Sequence, residues 1–156
     1  MKERINFYEK GHAAMKGLFT TGAYLAKSGL GQPLIDLVNF RVSQMNGCAY
    51  CLDMHAKDLR AMGESEQRLY LLSAWREAPL YSERERAALG WAEAVTKAEI
   101  PDEIYTEVCR EFSEDEMIDL TTAVITINSF NRINIAFQVK AGDYQPGMHV
   151  HLIQNN

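Results

Sequence analysis

Cysteine is scarce in this chain: 3 among 156 residues, at Cys48, Cys51 and Cys109. So odd and sparse a set does not make the disulfide framework of a small secreted scaffold. Positive charge is short as well. Lys and Arg number 16 against 21 Asp and Glu, for a net charge of −5, which argues against a nucleic-acid footprint. No apolar run approaches the ~20 residues needed to cross a bilayer. The opening Met1-Lys2-Glu3-Arg4 lacks the apolar core of a signal peptide. These absences predict a soluble, cytoplasmic protein. The β-branched alternation of strands is missing too, and there is no internal repeat, low-complexity stretch or linker.

What is present suits helices. Apolar residues make up 47% and charged residues 24%, an ordinary globular composition for one domain over residues 1–156 that folds without disulfide staples. A first helix is expected from about Ile5 to Lys27, interrupted near Gly17 or Gly22. Pro33 suits the first turn of a second, which runs to Asn46 with an apolar stripe of Leu34, Leu37, Val38, Val42 and Met45. Asn46-Gly47 reads as a turn. A third helix follows from Cys48 to just before Gly63, a fitting left-handed terminator. Ser65 to Arg76 reads as a fourth. Capping boxes at Ser82/Glu85 and Ser113/Glu116 open a fifth helix to Lys97 and a long last one from Glu114 to Lys140. Pro101 opens a sixth between them, ending near Phe112. The sum is a compact all-α domain of about seven helices, with residues 141–156 an irregular tail.

The chemistry concentrates in the third helix. Cys48 and Cys51 can close a small disulfide ring. On a helix at ~100° per residue, Cys48, Cys51 and His55 share one stripe. Only the thiolate is a good nucleophile, and a free thiol with pKa about 8.5 is roughly 3% ionised at neutral pH. Cys48 at a helix N-terminus would feel the positive end of the dipole, which raises that fraction. His55, one turn after Cys51, can take up a proton near neutrality and return it. Asp36 lies twelve positions before Cys48 on the neighbouring helix and is the candidate to fix the His55 tautomer. Asp53 is nearer in sequence but points away from Cys51.

The acidic residue, the Cys-x-x-Cys and the histidine stand at specific spacings. With Gly63, Glu66, Trp75-Arg76 and the Ser82–Arg86 cap, they resemble the alkylhydroperoxidase D-like (AhpD-like) branch of the carboxymuconolactone decarboxylase superfamily. The resemblance is strongest over residues 30–95. It implies an all-helical subunit forming trimers or hexamers, with peroxidase and disulfide-reductase chemistry in antioxidant defence. It implies that Cys51 attacks the peroxide and that Cys48 condenses with the resulting sulfenic acid to form a redox-active disulfide. His55 is then the proton carrier, oriented by Asp36, and a dithiol donor (a lipoyl group or a small redox protein) resets the pair. No cofactor and no metal is implied. Two departures stand out. Asp36 occupies a place where the family usually has Glu, one methylene longer, so a water would bridge it to His55. Tyr50 stands where members of the family carry a second His between the cysteines.

Other readings stay open beside this one. Cys48, Cys51, His149 and His151 could form a Cys2His2 metal site, the pair could be a redox sensor without turnover, or it could be purely structural. A lactone decarboxylase is the second enzymatic reading. Tyr50 and Asn131 are candidates to line the site, the latter from a stripe with Asn128, Asn131 and Asn134 that otherwise reads as a solvent face. Cys109 reads as a small core residue. Trp75 and Trp91 read as core or interface aromatics.

Overall fold

The computed structural model of the chain describes residues 3–149. Among these the structure is all-α. The helices are α1 (Phe7–Lys10), α2 (His12–Leu25), α3 (Gln32–Asn46), α4 (Ala49–Ala61), α5 (Glu66–Leu71), α6 (Glu83–Lys97), α7 (Asp102–Glu111) and α8 (Glu114–Phe137), with a 3-10 turn at Leu72–Ala74 after α5. No helix among the described residues is long and apolar enough to cross a membrane.

Helix α3 is the central element and packs against α4, α6 and α8. It buries two faces rather than the single stripe that its sequence suggests. Ile35, Val38 and Val42 meet Ala88, Trp91 and Ala92 of α6 and Leu120, Val124 and Ile127 of α8. Leu37 and Phe40 turn the other way, to Leu59 of α4 and a cluster that includes Leu72, Trp75 and Leu89. A third cluster holds the N-terminal segment down. Phe7, Met15 and Phe19 pack on Phe130, Ile133 and Phe137 at the end of α8, and the Arg4 amide donates to the Phe137 carbonyl at 2.9 Å.

Both capping boxes form as expected, Ser82 with Glu85 and Ser113 with Glu116. Gly63 takes φ +94°, and the Glu64 amide reaches back to the Leu59 carbonyl at 2.9 Å, the Schellman closure of α4. The first helix breaks at Gly11 instead of Gly17 or Gly22. A Cβ at Gly11 would lie 2.8 Å from the Phe7 carbonyl oxygen, whereas nothing lies within 4 Å at Gly17 or Gly22. The expected fourth helix stops early. Arg86 of α6 reaches across to the carbonyls of Trp75, Arg76 and Ala78, so these groups bond to a guanidinium and not to a helical ladder. Helix α8 ends at Phe137, three residues sooner than expected, because Gln138 turns left-handed at φ 53°. Cys109 is exposed, not a core residue. The buried face of α7 passes through Val108, and the next residue is rotated ~100° out of it.

Glu93 of α6 anchors this framework from inside. It accepts from Arg41 Nε at 2.8 Å, from Trp75 Nε1 at 2.8 Å and from Arg76. Burial pushes its carboxyl pKa up, but the bonds from Trp75, Arg76 and Arg41 outweigh burial, and the pKa is lowered. Residues 141–149 run back over α4. Lys57 Nζ donates to the Gly142 and Tyr144 carbonyls, both at 2.9 Å. The Gly142 amide donates to Asp53 at 2.9 Å. The Tyr144 hydroxyl donates to the Asp58 carboxylate at 2.9 Å. Asp53 thus points away from Cys51, as its helical position predicts, and serves the tail.

Two outcomes follow from these contacts. Glu93→Gln leaves Arg41 and Arg76 facing a neutral amide and lowers stability by about 3 kcal/mol in urea melts at neutral pH. Because the folded pKa is depressed, the Glu93 contribution is present above its ordinary value of 4.5 and is lost as pH falls through the folded value. The wild-type and variant curves therefore converge in acid, and parallel curves down to acid pH would contradict the assignment. Lys57→Met speeds amide exchange over residues 142–147 by about tenfold while α4 interior amides keep their protection. Unchanged exchange there would show that the tail is held by other contacts.

Candidate functional site

The local chain explains the placement of each sulfur. Helix α3 ends at Asn46, Gly47 takes the left-handed conformation at φ 67°, and Cys48 caps the N-terminus of α4. The Cys48 sulfur accepts from the Cys51 amide at 3.3 Å, using one of the orphan donors at the helix start. Cys48 and Cys51 are joined in a disulfide, with Cα atoms 5.3 Å apart. Both residues are buried. The Cys51 sulfur also accepts from Asn134 Nδ2 of α8 at 3.3 Å.

His55 lies one turn on and is only 5% exposed. Its Nδ1 stands 3.6 Å from Asp36 Oδ1 on α3. That is within ion-pair range but too long for a direct hydrogen bond, and a carboxylate one methylene short reaches no closer. Gln32 Nε2 donates to the other Asp36 oxygen at 2.9 Å. Neither His55 nitrogen has a hydrogen-bond partner among the described residues. A buried imidazole left so is a group with donor and acceptor capacity to offer.

Cys51, His55 and Asp36 line one cavity of about 810 Å³. Leu18, Phe19, Ile35, Met54 and Phe130 supply apolar wall, and Tyr144, Gly147 and His149 of the tail close one side. Asp58 lies on the same wall. Burial raises its pKa, and the Tyr144 hydroxyl bond works against that rise. Burial and the Asp58 carboxylate together push the Tyr144 phenol up.

The remaining sequence candidates take different places. Cys48 and Tyr50 are not among the residues lining the cavity. They form a buried cluster with Cys51, against which Tyr8, Met54 and Val139 pack. The Tyr50 hydroxyl is 2.6 Å from His149 Nε2. Asn131 does not line the cavity either. It is fully buried in the α3–α8 seam, donating to Ser43 Oγ at 3.0 Å and accepting from Asn46 Nδ2 at 2.9 Å. The asparagine stripe is therefore not a solvent face: Asn131 secures the end of α3 just before the Gly47 turn, and Asn134, one turn further, reaches the sulfur. His149, weighed as a metal ligand, is on Tyr50, and His151 lies outside the described residues.

Sequence reasoning missed Tyr8, Asp58 and Tyr144, and weighed Asn134 only as part of a stripe that could be site wall, a subunit contact or a solvent face. The periodic asparagines carried a signal for Asn134. Tyr8 and Tyr144 carried none, since both reach the site by tertiary contact from the ends of the chain.

Comparison with known proteins gives the family and the fold. Residues 12–94, more than half of the chain, match the carboxymuconolactone decarboxylase family. The uncharacterised protein YdfG of Bacillus subtilis (strain 168) is 42% identical over 144 residues, 90% of this chain and 98% of that one. A crystal structure from Agrobacterium tumefaciens, of a protein of unknown function named as a candidate antioxidant defence protein AhpD, is 42% identical. It superposes with a TM-score of 0.86, covering 92% of this chain and 100% of that one. The AhpD core of an uncharacterised peroxidase-related protein from Ralstonia eutropha JMP134 shares the fold at 20% identity. Its TM-score is 0.74 over 84% of this chain and 72% of that one. The chain belongs to the carboxymuconolactone decarboxylase family, within its AhpD-like branch.

Proposed function

We propose that the protein is a thiol-dependent peroxidase and disulfide reductase of antioxidant defence. The observation that carries this reading is the Cys48–Cys51 disulfide at the start of α4, with Cys51 and a buried His55, its nitrogens without a hydrogen-bond partner among the described residues, on the wall of one cavity. Antioxidant defence is also what the name of the Agrobacterium relative states.

The position of each sulfur divides the labour. Cys51 meets the cavity and Cys48 does not, so Cys51 is the sulfur that a peroxide reaches. Its thiol proton passes to His55, and the thiolate attacks one peroxide oxygen. The O–O bond breaks, the alkoxide takes the proton back from His55 and leaves as an alcohol, and Cys51 becomes a sulfenic acid. The Cys48 thiolate then attacks the Cys51 sulfur. Hydroxide leaves and takes the Cys48 proton as water, and the S–S bond closes. One peroxide and two thiols thus give an alcohol, a water and a disulfide. A dithiol donor, a lipoyl group or a small redox protein, returns two electrons and two protons by exchange and departs as its own disulfide. Asp36, 3.6 Å from Nδ1, keeps the imidazole oriented. The chemistry uses no cofactor.

We read the active species as a cytoplasmic homo-oligomer, trimer or hexamer. Ile118 and Ile125 lie two turns apart on the outward side of α8, both largely exposed, a surface that a second copy would cover.

The test is peroxide consumption with dihydrolipoamide as donor. Cys51→Ser reduces turnover to background, and His55→Gln slows it about a hundredfold or more. Full turnover by Cys51→Ser would end the proposal.

A further inference from the structure

A polar chain on the tail side of the cavity connects the Cys51 sulfur to His149. Asn134 Nδ2 donates to the sulfur at 3.3 Å, and Asn134 Oδ1 lies 3.5 Å from the Tyr8 hydroxyl. The Tyr8 and Tyr50 rings face each other with centroids 6.1 Å apart, their phenols within electrostatic reach of one another, and Tyr50 is bonded to His149 Nε2 at 2.6 Å. The His149 ring is stacked on Tyr8, centroids 4.8 Å apart. Four side chains from α1, α4, α8 and the tail thus lead to one sulfur.

Each hydroxyl has a single proton to give, so the directions of these bonds are coupled. With a proton on Nε2, His149 donates to Tyr50, Tyr50 to Tyr8 and Tyr8 to Asn134 Oδ1. The Asn134 amide then donates to the sulfur, and every link is made. With Nε2 bare, Tyr50 turns its proton to His149, Tyr8 turns to Tyr50, and Asn134 Oδ1 loses its donor. A protonated His149 and a firmly held donor at the sulfur therefore belong together.

We propose that His149 is a positioning residue for Cys51: protonated on Nε2, it aligns Tyr50, Tyr8 and Asn134 toward the sulfur and favours the Cys51 thiolate. The inference rests on Cys51 as the reacting thiol and adds a regulator of its ionisation. Burial raises the pKa of both Tyr8 and Tyr50, so the two phenols keep their protons and pass on orientation only. In a buried setting such a chain is stronger than its separate bonds. The rings facing His149 are Tyr8 from α1, Tyr50 from α4 and Tyr144 from the tail. The carboxylates acting on Tyr50 are Asp53, Asp58 and Glu3.

The test needs neither peroxide nor donor, so it stands or falls apart from the peroxidase reading. In the Cys48→Ser/Cys109→Ser protein Cys51 is the sole thiol, and serine at position 48 keeps a capping oxygen. Thiolate absorbance is followed against pH. His149→Phe keeps a ring on Tyr8 but removes the bond to Tyr50, and Tyr50→Phe removes the same link from the other side. Each raises the thiolate midpoint by about one pH unit, roughly tenfold less thiolate below it. Together they raise it no further than either alone. Should one of them fail to fold, Tyr8→Phe breaks the chain at another link and gives the same rise. Superimposed curves for the parent and His149→Phe overturn the proposal. So does a shift with His149→Phe that Tyr50→Phe and Tyr8→Phe do not reproduce, since the effect would then bypass the chain.

Discussion

The reversal at Gly47 is the constraint on which the site depends. A single left-handed residue at φ 67° separates the last residue of α3 from the cap of α4, a conformation that costs a residue with a Cβ ~1 kcal/mol or more. Because the link is so short, α4 returns along α3. At ~1.5 Å per residue, Asp36 lies about 16 Å before the turn and His55 about 12 Å after it, close enough in level for the 3.6 Å approach. The same reversal brings the Cys48 amide back to the Ser43 carbonyl at 3.1 Å and sets its carbonyl and sulfur at the start of α4, where they accept from the Leu52 and Cys51 amides at 2.9 and 3.3 Å. Asn131 guards the turn from the far side by bonding Ser43 and Asn46, so the third layer of helix holds what the first two create.

The electrostatics around the sulfurs come from dipoles more than from charges. Helix α4 presents its N-terminal amides to Cys48, and α8 presents an amide to Cys51. No ion pair among the described residues involves either sulfur. Dipoles fixed by a folded framework favour a thiolate without drawing an anionic partner of their own. The acidic groups stand apart at His55, where Asp36 and Asp58 face the cavity. The positive end of α4 and the carboxylates thus face different members of the constellation: one the sulfurs, the other the His55 imidazole.

Much of this was legible in the sequence, and the reasons are specific. Capping boxes, Pro33, Gly63 and the Asn46-Gly47 turn are local signals, and local signals placed five helices within a few residues. The pairing of Asp36 with His55 followed from the shortness of one turn. The failures were tertiary. The break at Gly11 arises from a backbone approach to Phe7 that no propensity records. Helix α5 gives way to a 3-10 turn because a guanidinium from α6 takes the carbonyls beyond it. Cys109 is exposed because the narrow buried face of α7 passes it by, a matter of one residue's rotation. Asn134 and Asn131 share a stripe, and only the position of α8 against α3 decides which of them meets sulfur and which meets the turn.

The two sets of site residues divide along the chain. Asp36, Cys48, Cys51 and His55 all fall inside residues 12–94, the stretch that carries the family match. Tyr8, Asn134, Tyr144 and His149 all fall outside it, from both ends of the chain. The first set contains the groups that can exchange electrons and protons. The second supplies the amide at the sulfur, the phenol on Asp58 and the ring pair around Tyr50. A phenol pushed above its usual range is no proton carrier at neutral pH, so Tyr8 and Tyr144 can act only by orienting and desolvating the inner set. Tyr144 and His149 lie on the tail that Lys57 ties down and Tyr8 on the segment that Arg4 ties to the end of α8, whereas Asn134 is buried on α8, which packs along α3. The Cys48, Cys51, His55 and Asp36 constellation therefore sits on the packed pair α3 and α4, while its surroundings are drawn from α8 and from both ends of the described chain, where stability is more local.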